Sequence, residues 1–233
     1  SWLVWDYRIP EGKAFDELEK ALREKRAGFY LLYTAGLDSD LHRYGIGDEH
    51  IASRLSWYRD RIERICSIDK RARVIVLGDH GMCDVSNQVD VVSMVNSSGL
   101  IVPDDFVPFY DSTMARFRVF NERARGSLEE LLSNCRQGRI VRSEDLDRLG
   151  VAFEDGRYGD LIFLVQPGSI ILPSFMGTSP VASMHGYHPD AECMYSVMFT
   201  NADVPWEECS ICDVAAFLVP GFEAGGEGVR CGD

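Results

Sequence analysis

RVIVLGDHGM, residues 73–82, sets an unbroken apolar run, Val74 to Leu77, against Gly78, Asp79, His80 and Gly81. Without the alternation of a half-wet strand, such a run reads as a strand buried on both faces. Its abrupt end in Asp-His-Gly puts two polar side chains at a strand's carboxyl end, where α/β folds assemble their sites. Working outward, FYLLYT (29–34) is a second continuous run, and DLIFLVQPGSIILPS (160–174) and MYSVMFT (194–200) are further strand signals. Helical patterns lie between them. Residues 13–27 place Ala14, Leu18, Ala21 and Leu22 on one face, and a longer pattern aligns Ile51, Leu55, Tyr58, Ile62 and Ile65. VDVVSMV (89–95) fits helix or buried strand, and the NSSG that follows favours helix. SLEELLSNCRQG (127–138), SEDLDRLG (143–150) with Ser143 as its cap, and residues 211–218 complete the helical set. Strand runs alternating with amphipathic helices predict an α/β fold, a mostly parallel sheet with helices on both faces. Residues 105–155, of changed texture, read as a small inserted cap within one domain rather than a second domain.

Composition narrows the function classes. The 233 residues are 45% apolar and 26% charged, which excludes a disordered chain. A formal net charge of -13, with no basic stripe, disfavours extended nucleic acid but not a small phosphorylated substrate, since bound cations reverse a local field. The longest apolar stretches, 161–165 and 170–172, are far short of the roughly 20 residues of a membrane span. The opening SWLVWDYRIPEGKAF has no signal-peptide pattern and no initiator methionine, which suggests processing or lost upstream sequence. Seven cysteines, an odd number, favour free thiols and a reducing, cytoplasmic compartment. Cys209 and Cys212 have metal-like spacing, but no second close pair completes a zinc set.

Five histidines occur, and four stand in turn-rich junctions after strand signals. Asp38 and His42 are four apart, so a helical turn would point both at one cation, although a turn cap and a packed histidine have the same spacing. Asp79 and His80 are adjacent, and Gly81 allows the irregular turn that would let them converge. In MHGYHPD (184–190), His185 and His188 flank Gly186 and Tyr187, and a purely structural turn built on Gly186 and Pro189 is the alternative. His50 lies in a helical surface pattern. Mixed oxygen and nitrogen donors suit zinc, with manganese as the alternative.

In this order and context, LDSDLHRYG, GDHGM and HGY resemble the alkaline phosphatase superfamily, especially its type I phosphodiesterase and nucleotide pyrophosphatase branch. RYGDLIFLVQPGSII (157–171) and the apolar run after HGY add to the resemblance, which covers most of residues 29–217. The resemblance implies that Asp38, His42 and His185 hold one metal and that Asp79 and His80 belong to the shell of a second; for His188, three residues beyond His185, orienting a ligand or contacting substrate are the readings its position offers. It also implies a Thr or Ser nucleophile before the D-x-x-x-H motif. Only 37 residues precede Asp38, and none makes a convincing match. The chain is therefore expected to be the carboxyl-terminal portion, residues 1–233, of one catalytic domain whose nucleophile lies upstream, and to be inactive alone. That missing front is an expected partner and could carry a targeting segment. The implied reaction is two-metal hydrolysis of a phosphodiester or pyrophosphate, or of a phosphomonoester. A phosphomutase, phosphonate hydrolase or sulfatase of the same superfamily, or a noncatalytic metal-stabilised interaction protein, are the competing readings. Leu37 and Leu41 stand where nucleotide pyrophosphatases commonly carry proline and glycine, so nucleotide specificity is not implied. Arg116, Arg118 and Arg123 in the cap are candidate phosphate contacts, with solvated or salt-bridged roles as the alternative.

Overall fold

The helices largely follow the sequence patterns, but the strands and their pairing do not. The computed structural model describes residues 9–24, 28–204 and 207–218. In chain order these form α1 (Glu11–Arg23), α2 (Gly36–Tyr44), α3 (Glu49–Ile68), β1 (Ile75–Leu77), β2 (Cys83–Asp84), β3 (Asn87–Val89), α4 (Val91–Asn96), β4 (Phe106–Tyr110) and β5 (Met114–Val119). Then come α5 (Glu122–Ser133), β6 (Gly138–Ile140), α6 (Ser143–Arg148), β7 (Leu161–Val165), β8 (Ser169–Ile171), β9 (Ser183–Met184), a 3-10 turn (Glu192–Met194), β10 (Met198–Thr200) and α7 (Ile211–Leu218). The chain divides into two units, one of Ser1–Gly78, Val181–Ser183 and Val197–Asp203, the other of Asp79–Pro180, Met184–Ser196 and Val204–Asp233. The Gly-rich stretch 222–233, whose composition reads as a loose tail, lies outside the described residues.

In the first unit α1 packs on α3 through Phe15, whose ring meets Trp57 edge-on at 5.3 Å and Tyr58 at 6.1 Å. The inward face of α3 is more polar than its sequence stripe suggested. Leu55 is exposed, whereas Arg54 bonds Glu11 (3.0 Å) and Asp40 (2.7 Å), and Arg61 pairs with Asp16 (2.8 Å) and Glu19 (3.1 Å). Glu11 also accepts from the Tyr58 hydroxyl (2.6 Å) and from the Gly36 backbone N–H (3.3 Å), so α1 supplies the carboxylate that caps α2. Burial, and then the Glu11 carboxylate, push the Tyr58 phenol well above its ordinary range. A side chain at position 36 would collide with that carboxylate, which explains glycine there. Strand β1 pairs antiparallel with β10, Ile75 opposite Thr200 and Leu77 opposite Met198. The Asn201 amide extends the pair, accepting from Val74 N (2.8 Å) and donating to Ala72 O (2.9 Å).

The second unit is built on a four-stranded sheet of order β4-β5-β7-β6, antiparallel throughout. MARFRV shows why β5 lies at its centre: Ala115 and Phe117 are fully buried, while Arg116 and Arg118 project from the opposite face. Phe106, Phe117, Phe163, Leu128 and Leu132 form the core with Val91 and Val95 of α4. Burying side chains of this size contributes about 1.5–3 kcal/mol each. Caps fix the helices: Asp90 accepts from Ser93 N (2.8 Å) at α4, and Asn121 from Ala124 N (2.9 Å) at α5. At α6 the expected cap moves by one residue, since Arg142 holds that position without a side-chain bond and Ser143 is already helical.

The expected mostly parallel sheet is overturned. The sheets are mostly antiparallel, and β3–β8 is the one small parallel pairing among the described residues. A continuous apolar run announces burial but carries no information about its partner or direction, and RVIVLG finds its neighbour in a strand of opposite sense. FYLLYT forms no strand, and Phe29, Leu31 and Tyr33 are exposed. Segment 105–155 contributes β4, β5 and β6 to the sheet that β7 completes.

Candidate metal centre

Helix α2 turns a sequence spacing into geometry. Asp38 sits in its first turn and His42 one turn later, with His42 Nε2 3.4 Å from Asp38 Oδ1. On the other side of the ring, His42 Nδ1 lies 2.8 Å from the carbonyl oxygen of Ser183. A carbonyl only accepts, so Nδ1 carries a proton, and Nε2 is the ring nitrogen directed toward Asp38. Ser183 is fully buried and bound to α2 once more through its hydroxyl, which donates to Leu41 O (2.6 Å), while the preceding Ala182 N donates to His42 O (2.8 Å). Sequence reasoning missed this orienting carbonyl, because the two residues are 141 positions apart.

Residues 79–81 are held by backbone contact instead of a helix. His80 Nδ1 donates to Gly81 O (2.9 Å), which turns its Nε2 toward Asp79 Oδ1 at 3.6 Å. Gly81 N donates to Met194 O (3.0 Å), and a Cβ at Gly81 would overlap the Cys193 carbonyl oxygen. A disulfide between Cys83 and Cys193, Cα atoms 5.5 Å apart, fastens the same two segments. Among the described residues Cys66, Cys135 and Cys209 are free, while Cys83 and Cys193 are paired, against the free-thiol reading of the odd cysteine count. Disulfides persist in oxidising surroundings, so the cysteine count no longer supports a cytoplasmic location. No helix among the described residues is long and apolar enough to cross a membrane.

The HGYH segment supplies the third group. The His185 ring stacks on that of His80, centroids 3.9 Å apart and planes 24° from parallel. Gly186 has φ +82°, its carbonyl accepts from Thr113 Oγ1 (2.8 Å), and a Cβ there would crowd that hydroxyl, so glycine is required on both counts. Tyr187 is buried, donates to Ser169 O (3.0 Å), and burial pushes its phenol up to about 12. His188 Nδ1 accepts from Asp190 N (3.3 Å), so its proton sits on Nε2, a buried atom with no hydrogen-bond partner among the described residues.

Asp38 and His42 in one unit, and His185 beside His80 in the other, are the carboxylate and imidazole donors of these segments. A carboxylate oxygen with two imidazole nitrogens, one pre-oriented by a backbone acceptor, matches what a zinc- or manganese-type cation takes. Asp79 and His80 form a pair beside His185. His50 is engaged differently: exposed, it bonds Asp48 (2.7 Å) and stacks on Tyr44 at 4.3 Å.

Solved structures share this fold. Human ectonucleotide pyrophosphatase/phosphodiesterase 5 superposes with TM-score 0.67 and 16% identity. The murine protein of the same name gives 0.63 and 16%, as does its inactive variant in complex with AMP. In each case the match covers 85% of this chain but 54% of the other, so the chain spans about half the length of these relatives. No curated protein matches the chain at a significant level. The sequence itself, over residues 4–188, matches one family, and the chain belongs to it: Type I phosphodiesterase / nucleotide pyrophosphatase.

Proposed function

We propose that the chain carries metal-binding machinery of a hydrolase acting on a phosphodiester or pyrophosphate, with phosphomonoesters within the same chemistry. The observation that carries this reading is the Asp38–His42 pair that α2 sets within reach of one cation, joined to membership of a phosphodiesterase family. Asp38, His42 and His185 hold one divalent ion, and Asp79 and His80 contribute to a second. When bound, two zinc- or manganese-type ions offset the phosphoryl charge and lower the pKa of an attacking hydroxyl or water. The chain's own residues prepare that step. His42 and His80 each donate an Nδ1–H hydrogen bond to a carbonyl, which turns Nε2 toward the neighbouring carboxylate as the ligating atom. His188, with its Nε2–H buried, donates to a nonbridging substrate oxygen. In a protein of formal charge -13, a phosphate needs such local positive groups to enter.

The covalent nucleophile, Thr or Ser, lies upstream in the longer protein, of which residues 1–233 form the carboxyl-terminal portion of one catalytic domain and 105–155 a cap. The small phosphorylated substrate and the upstream part are its two partners. The 54% coverage of the structural relatives supports this reading. The test is to assay the 233-residue chain beside the longer protein with added zinc on an aryl phosphodiester. The chain is expected to bind zinc with little turnover, while the longer protein turns over and loses activity on His185→Ala. Equal, zinc-dependent turnover by both would misplace the nucleophile.

A further inference from the structure

The face of the four-stranded sheet opposite the core is a second place where charge and shape coincide. On it Phe109 of β4 stands directly opposite Arg116 of β5, and Val107 opposite Arg118. The loop from Phe153 to Gly159 bounds the same face, leaving an open cavity of about 420 Å³. The loop is fastened to β5 rather than draped over it: Asp160 N donates to Phe117 O (2.8 Å), and Asp160 Oδ2 accepts from Val119 N (2.8 Å). Gly156, at φ +59°, has no Cβ to obstruct the Arg118 guanidinium.

Three arginines and one aspartate line this cavity. Two of the arginines are already matched. Arg157 lies on Asp155 at 2.8 Å, and Arg118 pairs with Asp160 at 3.3 Å while also donating to Gly156 O (3.3 Å). Arg116 is the exception: it makes no hydrogen bond or ion pair among the described residues, and its Nε is buried. Its guanidinium is held against two rings, 4.6 Å from the centroid of Phe109 and 5.4 Å from that of Tyr158. Those ring faces fix the plane of the fork and offer no anionic acceptor, so the donors keep their capacity for a bidentate partner. A neighbouring cavity of about 340 Å³, on the other side of Gly156, Tyr158 and Gly159, is lined by Asp147 and Glu154 and by no arginine or lysine. Of these two cavities, the first alone has an excess of positive charge.

We propose that this cavity is a binding site for a small oxyanion, a phosphate group or a carboxylate, held by the Arg116 guanidinium. The site is separate in its residues from Asp38, His42, His185 and their neighbours. Ligand oxygens take the two outer nitrogens of the fork, and Phe109 and Tyr158 keep the guanidinium from swinging away. The test titrates the isotopically labelled 233-residue chain with inorganic phosphate and, separately, with acetate at constant ionic strength, following backbone amide signals. Saturable shifts are expected at Arg116, Tyr158 and Gly159, by phosphate alone if a phosphate group is the ligand and by both anions if any oxyanion serves. Arg116→Gln should weaken binding at least tenfold. Arg118→Gln, which removes a charge that Asp160 already offsets, should weaken it less than threefold, and His185→Ala should leave it unchanged. Unaltered signals from the β4-β5-β7-β6 sheet verify folding of each variant. Absence of saturable shifts, equal losses from Arg116→Gln and Arg118→Gln, or loss in His185→Ala with retention in Arg116→Gln would each overturn the proposal.

Discussion

Asp38 and His42 share a helix, whereas Asp79 and His80 share an irregular turn, and the two pairs depend on different physics. On α2, one helical turn sets the spacing, and the Ala182–Ser183 backbone only trims the orientation of a pair the helix already makes. In the turn, nothing local sets the geometry. Gly81 must approach Cys193 and Met194 closely, and the Cys83–Cys193 disulfide fastens that approach. A ligand pair built on secondary structure tolerates distant change; one built on backbone contact does not.

Removing the disulfide should strain that contrast most. Cys83→Ser is expected to destabilise by about 2–5 kcal/mol, the usual cost of losing a native disulfide, and to separate the His80 and His185 rings while leaving the His42–Ser183 bond in place. Thermal unfolding and imidazole NMR signals check both parts; equal disturbance of His42 and His80 would erase the distinction. Gly81→Ala comes next, at about 1–3 kcal/mol for overpacking against backbone, with the same selectivity for the His80 side. On the helical pair, Ser183→Ala removes the hydroxyl bond to Leu41 O but keeps the carbonyl that orients His42. About 0.5–1.5 kcal/mol of stability should go, with the His42 tautomer unchanged in its nitrogen chemical shifts. A change of tautomer would mean that the side chain, not the backbone, orients the ring.

Asp105, outside both pairs, sets the smallest expected effect and carries a pH signature. Backbone N–H of Ile101, then the Asn121 amide and Arg123, hold its carboxyl below the usual 3.8. Because the folded value is the lower one, its stabilisation is complete above the unfolded value and fades as pH falls through the folded one. Asp105→Asn should therefore lower the melting temperature near neutrality and flatten its fall below about pH 4. A parallel downward displacement of the whole profile would assign Asp105 a role independent of its charge.

The same contrast explains what could be read in the sequence. Helices α1, α3, α4, α5 and α7 were legible because their period is local, and so was the D-x-x-x-H pair. Strand direction was not, since RVIVLG pairs with residues more than a hundred positions away and its run looks the same beside either neighbour. FYLLYT carries the strand pattern without a strand, and Leu55 the helical stripe without burial. MARFRV alternates buried residues with projecting arginines, but it lies in the segment 105–155, whose changed texture reads as a cap. At the candidate site, the Ser183 carbonyl and the Cys83–Cys193 bond left no local trace: each joins residues more than a hundred positions apart.

Zinc content per folded chain tests the central claim most directly. The 233-residue chain, loaded with zinc and dialysed, should be measured by elemental analysis beside His42→Ala, His185→Ala and His50→Ala, with circular dichroism on the same samples. If Asp38, His42 and His185 together hold a cation, the first two variants lose it while His50→Ala, altered only at an exposed ring stacked on Tyr44, keeps the parental amount. Parental zinc in folded His42→Ala and His185→Ala would contradict the account.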